Sequence, residues 1–114
     1  MAQLLVDGSD VVVRLGALEV LGAFHRSVRA PLADVVTLEP SNTLWKQLRG
    51  MRLPGTGIPG VIALGTWRRK GAKDFLAVYR NTGVVVTLDG SDWSRLLVSC
   101  PDPRRTCEQI NARR

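Results

Sequence analysis

Seven cations, Lys46, Arg49, Arg52, Arg68, Arg69, Lys70 and Lys73, fall between residues 46 and 73 with no carboxylate among them. The rest of the 114-residue chain is close to neutral, so its formal net charge of +6 at pH 7 comes from this one segment. Clustered cations attract polyanions, whether nucleic acid, an anionic lipid surface or an acidic protein surface. Arg49, Arg52, Arg68, Arg69 and Lys73 are the candidate ligand-binding residues, because they lie on two turn-rich stretches that flank one strand and can converge on one end of a barrel. The plainer reading of the same charges is a solvated basic surface that keeps the protein in solution.

Two further patterns share this segment. The run 50–60 holds Gly50, Gly55, Gly57 and Gly60 next to Arg49 and Arg52, and glycines let backbone amides approach a phosphate closely. It lacks the Gly-Lys-Ser/Thr ending of a nucleotide-binding loop, and Pro54 and Pro59 remove two of the amides an anion would use. An ordered loop crossing a sheet edge is the alternative. Trp45 and Trp67 bracket the basic segment, and aromatic rings interleaved with arginine can stack the bases of single-stranded nucleic acid. With aromatic residues at only 5% of the chain, each is also needed as a core anchor, and Trp93 ahead of Leu96 reads as core or a barrel plug.

Signatures of catalysis are sparse. His25 is the one histidine, so any Ser-His-Asp or Cys-His arrangement would have to use it. The carboxylates mostly sit in turn and cap contexts, where they satisfy backbone donors, and no pair stands out as general acid and base. Cys100 and Cys107 lack the second pair or the histidines of a structural zinc site and read as reduced, partly buried thiols. The expectation is therefore a binding module and not an enzyme, with no metal and no cofactor.

Those residues need a scaffold. A chain of 114 residues, 45% hydrophobic and 23% charged, matches a single globular domain, 1–114, able to bury one core without metals or disulfides. No Lys or Arg precedes the first apolar stretch and Asp7 and Asp10 interrupt it, unlike a secretory leader. The longest uncharged stretch, 53–67, is broken by Gly and Pro and is shorter than the roughly 20 apolar residues that span a bilayer. A cytoplasmic location is expected.

Along the chain, 3–6 and 11–15 read as strands joined by an Asp-Gly turn, a hairpin signal because glycine accepts the positive φ such turns demand. Residues 17–24 read as a short helical turn. A strand at 27–32 has Val28 and Ala30 on one side, Arg29 on the other and Pro31 at its end, and another at 35–39 is closed by Pro40. Residues 44–60 read as a long irregular stretch. Strands follow at 61–67, 75–80, 84–88 and 95–99, separated by a basic turn at 68–73 and by turns at 81–83 and 89–90, giving four antiparallel segments. Asp102 as N-cap and Pro103 at the first helical position open a C-terminal helix with Cys107 and Ile110 on its apolar face. Seven or eight short strands and one terminal helix, with no βαβ alternation, indicate a mainly β antiparallel barrel or sandwich.

This order, with its basic turn between central strands and a helix after the Val-Ser-Cys-Pro-Asp-Pro strand exit at 98–103, resembles bacterial domains of the pleckstrin-homology-like fold. Residues 29–32 (Arg-Ala-Pro-Leu), 48–60 (Leu-Arg-Gly-Met-Arg-Leu-Pro-Gly-Thr-Gly-Ile-Pro-Gly), 63–66 and 73–75 are similar to those of an actinobacterial family of small proteins with no established activity. The resemblance covers most of the chain and implies a fold without catalytic residues. Pleckstrin-homology domains that bind phosphoinositides place their basic loop between early strands, a different position from the basic segment here. Two functions follow as expectations: recognition of an anionic ligand or acidic protein surface, or nucleic-acid binding by a small barrel.

Overall fold

The structure, a computed structural model, describes residues 2–16, 27–48, 51–58 and 62–114, of which 27, 51–58 and 69 are described by backbone alone. The helical turn expected at 17–24 lies outside these residues. Two sheets account for the described strands. In the first, β1 (Gln3–Asp7), β2 (Asp10–Arg14) and β3 (Ser27–Pro31) form an antiparallel meander. Asp7 pairs with Asp10, so Gly8 and Ser9 make a two-residue turn, with Gly8 at φ 62°. Val28 and Ala30 are buried and Arg29 is exposed, as the alternation predicts.

The second sheet contains β4 (Val35–Ser41), β5 (Met51–Ile58), β6 (Ile62–Arg69), β7 (Ala72–Val78), β8 (Gly83–Leu88) and β9 (Arg95–Ser99), in the order β4-β8-β9-β7-β6-β5. It departs from the expected barrel in two ways. It is an open sheet with β4 and β5 at its edges, and β9 inserts between β7 and β8, running parallel to β7. The segments after residue 60 are therefore not all antiparallel. What turn signals cannot reveal is that the chain steps over a strand position not yet filled, which β9 later occupies. The step is secured locally: Ser99 Oγ accepts from the Tyr79 and Arg80 amides at 2.9 and 3.1 Å and donates to the Arg80 carbonyl at 2.9 Å.

The irregular stretch expected at 44–60 is a short 3-10 turn (Leu44–Gln47) followed by β5, which brings the described strands to nine. Pro54 and the glycines are compatible with β5 because it is an edge strand, where one row of ladder donors is not required, and its register slips between Arg52 and Gly55. Edge position also explains how β4 runs through Pro40, the expected stop, to Ser41.

The main core lies between the two sheets. Leu4, Val11, Val13, Val28 and Ala30 face Phe75, Val84, Val86, Leu96 and Val98, with Trp93 edge-on to Phe75 at 5.5 Å. Helix α1 (Pro103–Asn111) adds Cys107 and Ile110 to this core and packs on β1, β4 and β8. Asp102 caps it, accepting the Arg105 amide at 3.3 Å, and Pro103 occupies the first turn. Asp102→Ala should lower unfolding free energy by about 1 kcal/mol, read as a shift of the urea midpoint, with the far-UV spectrum unchanged.

Candidate anion site at the basic hairpin

The register sorts the candidate cations. β6 and β7 pair through Trp67↔Asp74, Arg68↔Lys73 and Arg69↔Ala72, so the basic turn expected at 68–73 contracts to Lys70-Gly71, and Arg68, Arg69 and Lys73 are strand residues. Directly paired residues share a face while successive residues alternate. Arg68 and Lys73 therefore stand side by side on the face that also carries Phe75. Arg52 pairs with Trp67, so Arg52 and Arg69 occupy positions that alternate with Arg68. Arg49 lies outside the described residues. One end of the sheet gathers the segment's charge, but only Arg68 and Lys73 are placed together.

Like charges directly opposite on paired strands repel, at roughly 0.5–1 kcal/mol near a surface. Among the described residues neither Arg68 nor Lys73 forms an ion pair; the pairs are Arg29 with Asp7 and Asp10, and Arg95 with Asp74. Lys73 is held in place by other means. Its Nζ sits 4.3 Å from the Trp93 ring centroid, its amide donates to Ser94 Oγ at 3.1 Å and its carbonyl accepts from the Ser94 amide at 2.7 Å. Arg68, Lys73, Ser91, Asp92 and Ser94 border a shallow cleft of about 390 Å³.

The serines are as informative as the cations. Ser94 Oγ accepts from the Lys73 amide and Ser91 Oγ from the Trp93 amide, at 3.3 Å. Each Oγ accepts from a backbone amide, so each hydroxyl keeps its proton as a donor. Two cations and two hydroxyl donors thus face one carboxylate, Asp92. Nothing in the sequence flagged Ser91 or Ser94, because their place beside Lys73 follows from the path of the 89–94 loop across the end of β7.

The other sequence candidates resolve differently. Residues 51–58 form a paired strand and not a looped cradle of free amides. Trp67 and Trp93 are buried and Trp45 is half-buried against the second apolar cluster, so the rings bracketing the basic segment serve packing. Cys100 and Cys107 are free thiols; burial pushes both up, and the Thr106 hydroxyl bonded to Cys100 only partly opposes this. Among the described residues no group of His, Cys, Asp and Glu could hold a metal ion, and no helix is long and apolar enough to cross a membrane. Arg104, Arg105, Arg113 and Arg114 are exposed on and beyond α1, a second basic region interspersed with Asp102 and Glu108, and hidden in the charge count because carboxylates elsewhere balance it. No protein-family model, no curated protein and no solved structure matches the chain.

Proposed function

We propose that the chain is a non-catalytic binding module that recognises an anionic group, on a ligand or on an acidic protein surface, at the open end of the β6–β7 hairpin. The observation that carries this reading is the cross-strand pair Arg68↔Lys73, two neighbouring cations with no carboxylate partner among the described residues, at the border of a cleft that Ser91 and Ser94 also line. Their mutual repulsion is relieved when an anion sits between them, so binding gains what the empty site loses. The mainly β scaffold with its C-terminal helix supports the pleckstrin-homology-like part of the proposal, and the open sheet with its parallel β7–β9 pair is where the chain departs from that fold. Nucleic-acid binding would use the same cations, but the burial of Trp67 and the packing of half-buried Trp45 against the second apolar cluster engage the two bracketing rings in the core.

Arg68→Glu tests the site with opposite signs in two assays. The new carboxylate faces Lys73, so stability at low salt should rise by about 0.5 kcal/mol, while retention on heparin and on acidic liposomes should fall about tenfold or more. Loss on heparin alone, or on liposomes alone, distinguishes a polyanionic partner from a lipid surface. Retention unchanged on both, in a protein whose stability has risen, removes the proposal.

A further inference from the structure

The outer face of the six-stranded sheet divides in two. Row by row, the register gives Trp67↔Asp74↔Arg95↔Thr87↔Thr37, then Gly65↔Leu76↔Leu97↔Val85↔Glu39, then Ala63↔Val78 on β6 and β7 and Ser99↔Gly83↔Ser41 on β9, β8 and β4. The β6–β7–β9 half is largely apolar and is covered by residues 44–48, which bury Leu44 over Trp67, Leu76, Val78, Val85 and Leu97. Asn81 fastens that cover, its carbonyl taking the Leu44 amide at 3.0 Å and its Oδ1 the Trp45 amide at 3.1 Å. The β8–β4 half is polar. Beyond the edge of the cover lies a cleft of about 440 Å³, bordered by Glu39, Ser41, Thr43, Gln47, Thr87 and Arg95.

Arg95 is set into this cleft in a fixed orientation. Its side chain is 12% exposed, and its Nε and Nη2 both donate to Asp74 Oδ2, at 3.0 and 2.7 Å, with Nη2 also donating to the Gln47 carbonyl at 2.6 Å. Among the described residues Nη1 meets no acceptor, which leaves one donor edge of an immobilised guanidinium for something that enters the cleft. A buried ion pair contributes little net stability compared with apolar residues of similar size, so stability alone does not account for an arginine held in this way.

The charges also select the ligand. Asp74 already offsets the Arg95 charge and Glu39 adds a carboxylate at the β4 border, so a bare anion gains little here. Arg95 and Glu39 lie two strands and one row apart, about 12 Å between backbones, with Thr87 and Ser41 offering hydroxyls between and beside them. We infer that this cleft binds a small zwitterion, its carboxylate on Arg95 Nη1 and its ammonium toward Glu39. The site is on the opposite face of the sheet from Arg68 and Lys73 and does not depend on the anion site.

Saturation-transfer NMR on the whole chain provides the test, with the twenty free amino acids and the spacing series glycine, β-alanine and γ-aminobutyrate as probes. At least one probe should receive saturation at millimolar concentration, and its carboxyl-amidated and N-acetylated forms should bind at least tenfold more weakly. Glu39→Gln, a change at an exposed position, should weaken binding about tenfold, Thr87→Val should weaken it several-fold, and Arg68→Glu should leave it unaltered. Absence of saturation for every probe overturns the inference. So does binding that survives both Glu39→Gln and Thr87→Val, or that tolerates loss of the ligand's carboxylate.

Discussion

Arg95→Met is expected to lower the unfolding free energy by about 3–5 kcal/mol, a large fraction of the stability of a domain this size. The substitution takes the guanidinium away from a carboxylate that is 1% exposed, and removes the hydrogen bond that ties the Gln47 carbonyl to the sheet. The buried Asp74 carboxylate then loses the two hydrogen bonds that Arg95 donates to it. The double substitution Asp74→Leu with Arg95→Met should recover much of the loss, because it removes the buried carboxylate together with the guanidinium that binds it. Urea unfolding of the two single variants and the double variant gives the coupling. Additive losses would show that the two side chains do not act as a pair.

Gly83→Ala is expected to cost about 3 kcal/mol or more, beyond what adding a methyl group to a strand usually does. Gly83 begins β8, just after the step over β9, and a Cβ there would overlap the Val98 carbonyl oxygen and lie 2.8 Å from the Ser99 Cα. It would also press on Leu44, 2.5 Å from its Cδ1. A side chain can move aside, but the backbone of β9 cannot shift without disturbing its ladders to β7 and β8. Thermal unfolding should show a drop of more than 10 °C, since about 1 kcal/mol moves the midpoint of a 60–100-residue domain by some 4–8 °C. A midpoint within 2 °C of the parent would mean that β8 and β9 are not packed this closely.

Local signals in the sequence were sufficient wherever the structure is decided locally. The hairpin at Gly8-Ser9, the Val28/Ala30 face and the Asp102-Pro103 helix start all depend on residues within a few positions of one another. Residues 44–60 read as irregular in the sequence, yet hold β5, because glycine and proline argue against a strand only where both ladder edges are needed, and edge position is a property of the whole sheet. The parallel β7–β9 pair was illegible for the same reason: the chain leaves β7 by a short turn that looks like any hairpin, and only the later arrival of β9 makes it a crossing.

The site was half legible. The concentration of charge between residues 46 and 73 is written in the composition, and Arg68 and Lys73 were among the expected ligands. Which cations share a face depended on the length of the β6–β7 turn: reading it as six residues left their directions open, and a two-residue turn fixes them. Ser91, Ser94 and the Asp74–Arg95 pair depend on contacts about 20 residues apart in sequence, which alternation patterns do not carry.

Backbone amide chemical shifts report residue by residue whether anions dock between Arg68 and Lys73. On titration of the isotope-labelled chain with a heparin hexasaccharide at low salt, the largest shifts should fall at Arg68, Gly71, Lys73, Ser91 and Ser94 and fade as salt is raised. Shifts confined to Arg104, Arg105, Arg113 and Arg114, with the hairpin amides unmoved, would contradict docking there and assign the basic surface to the C-terminal end of the molecule.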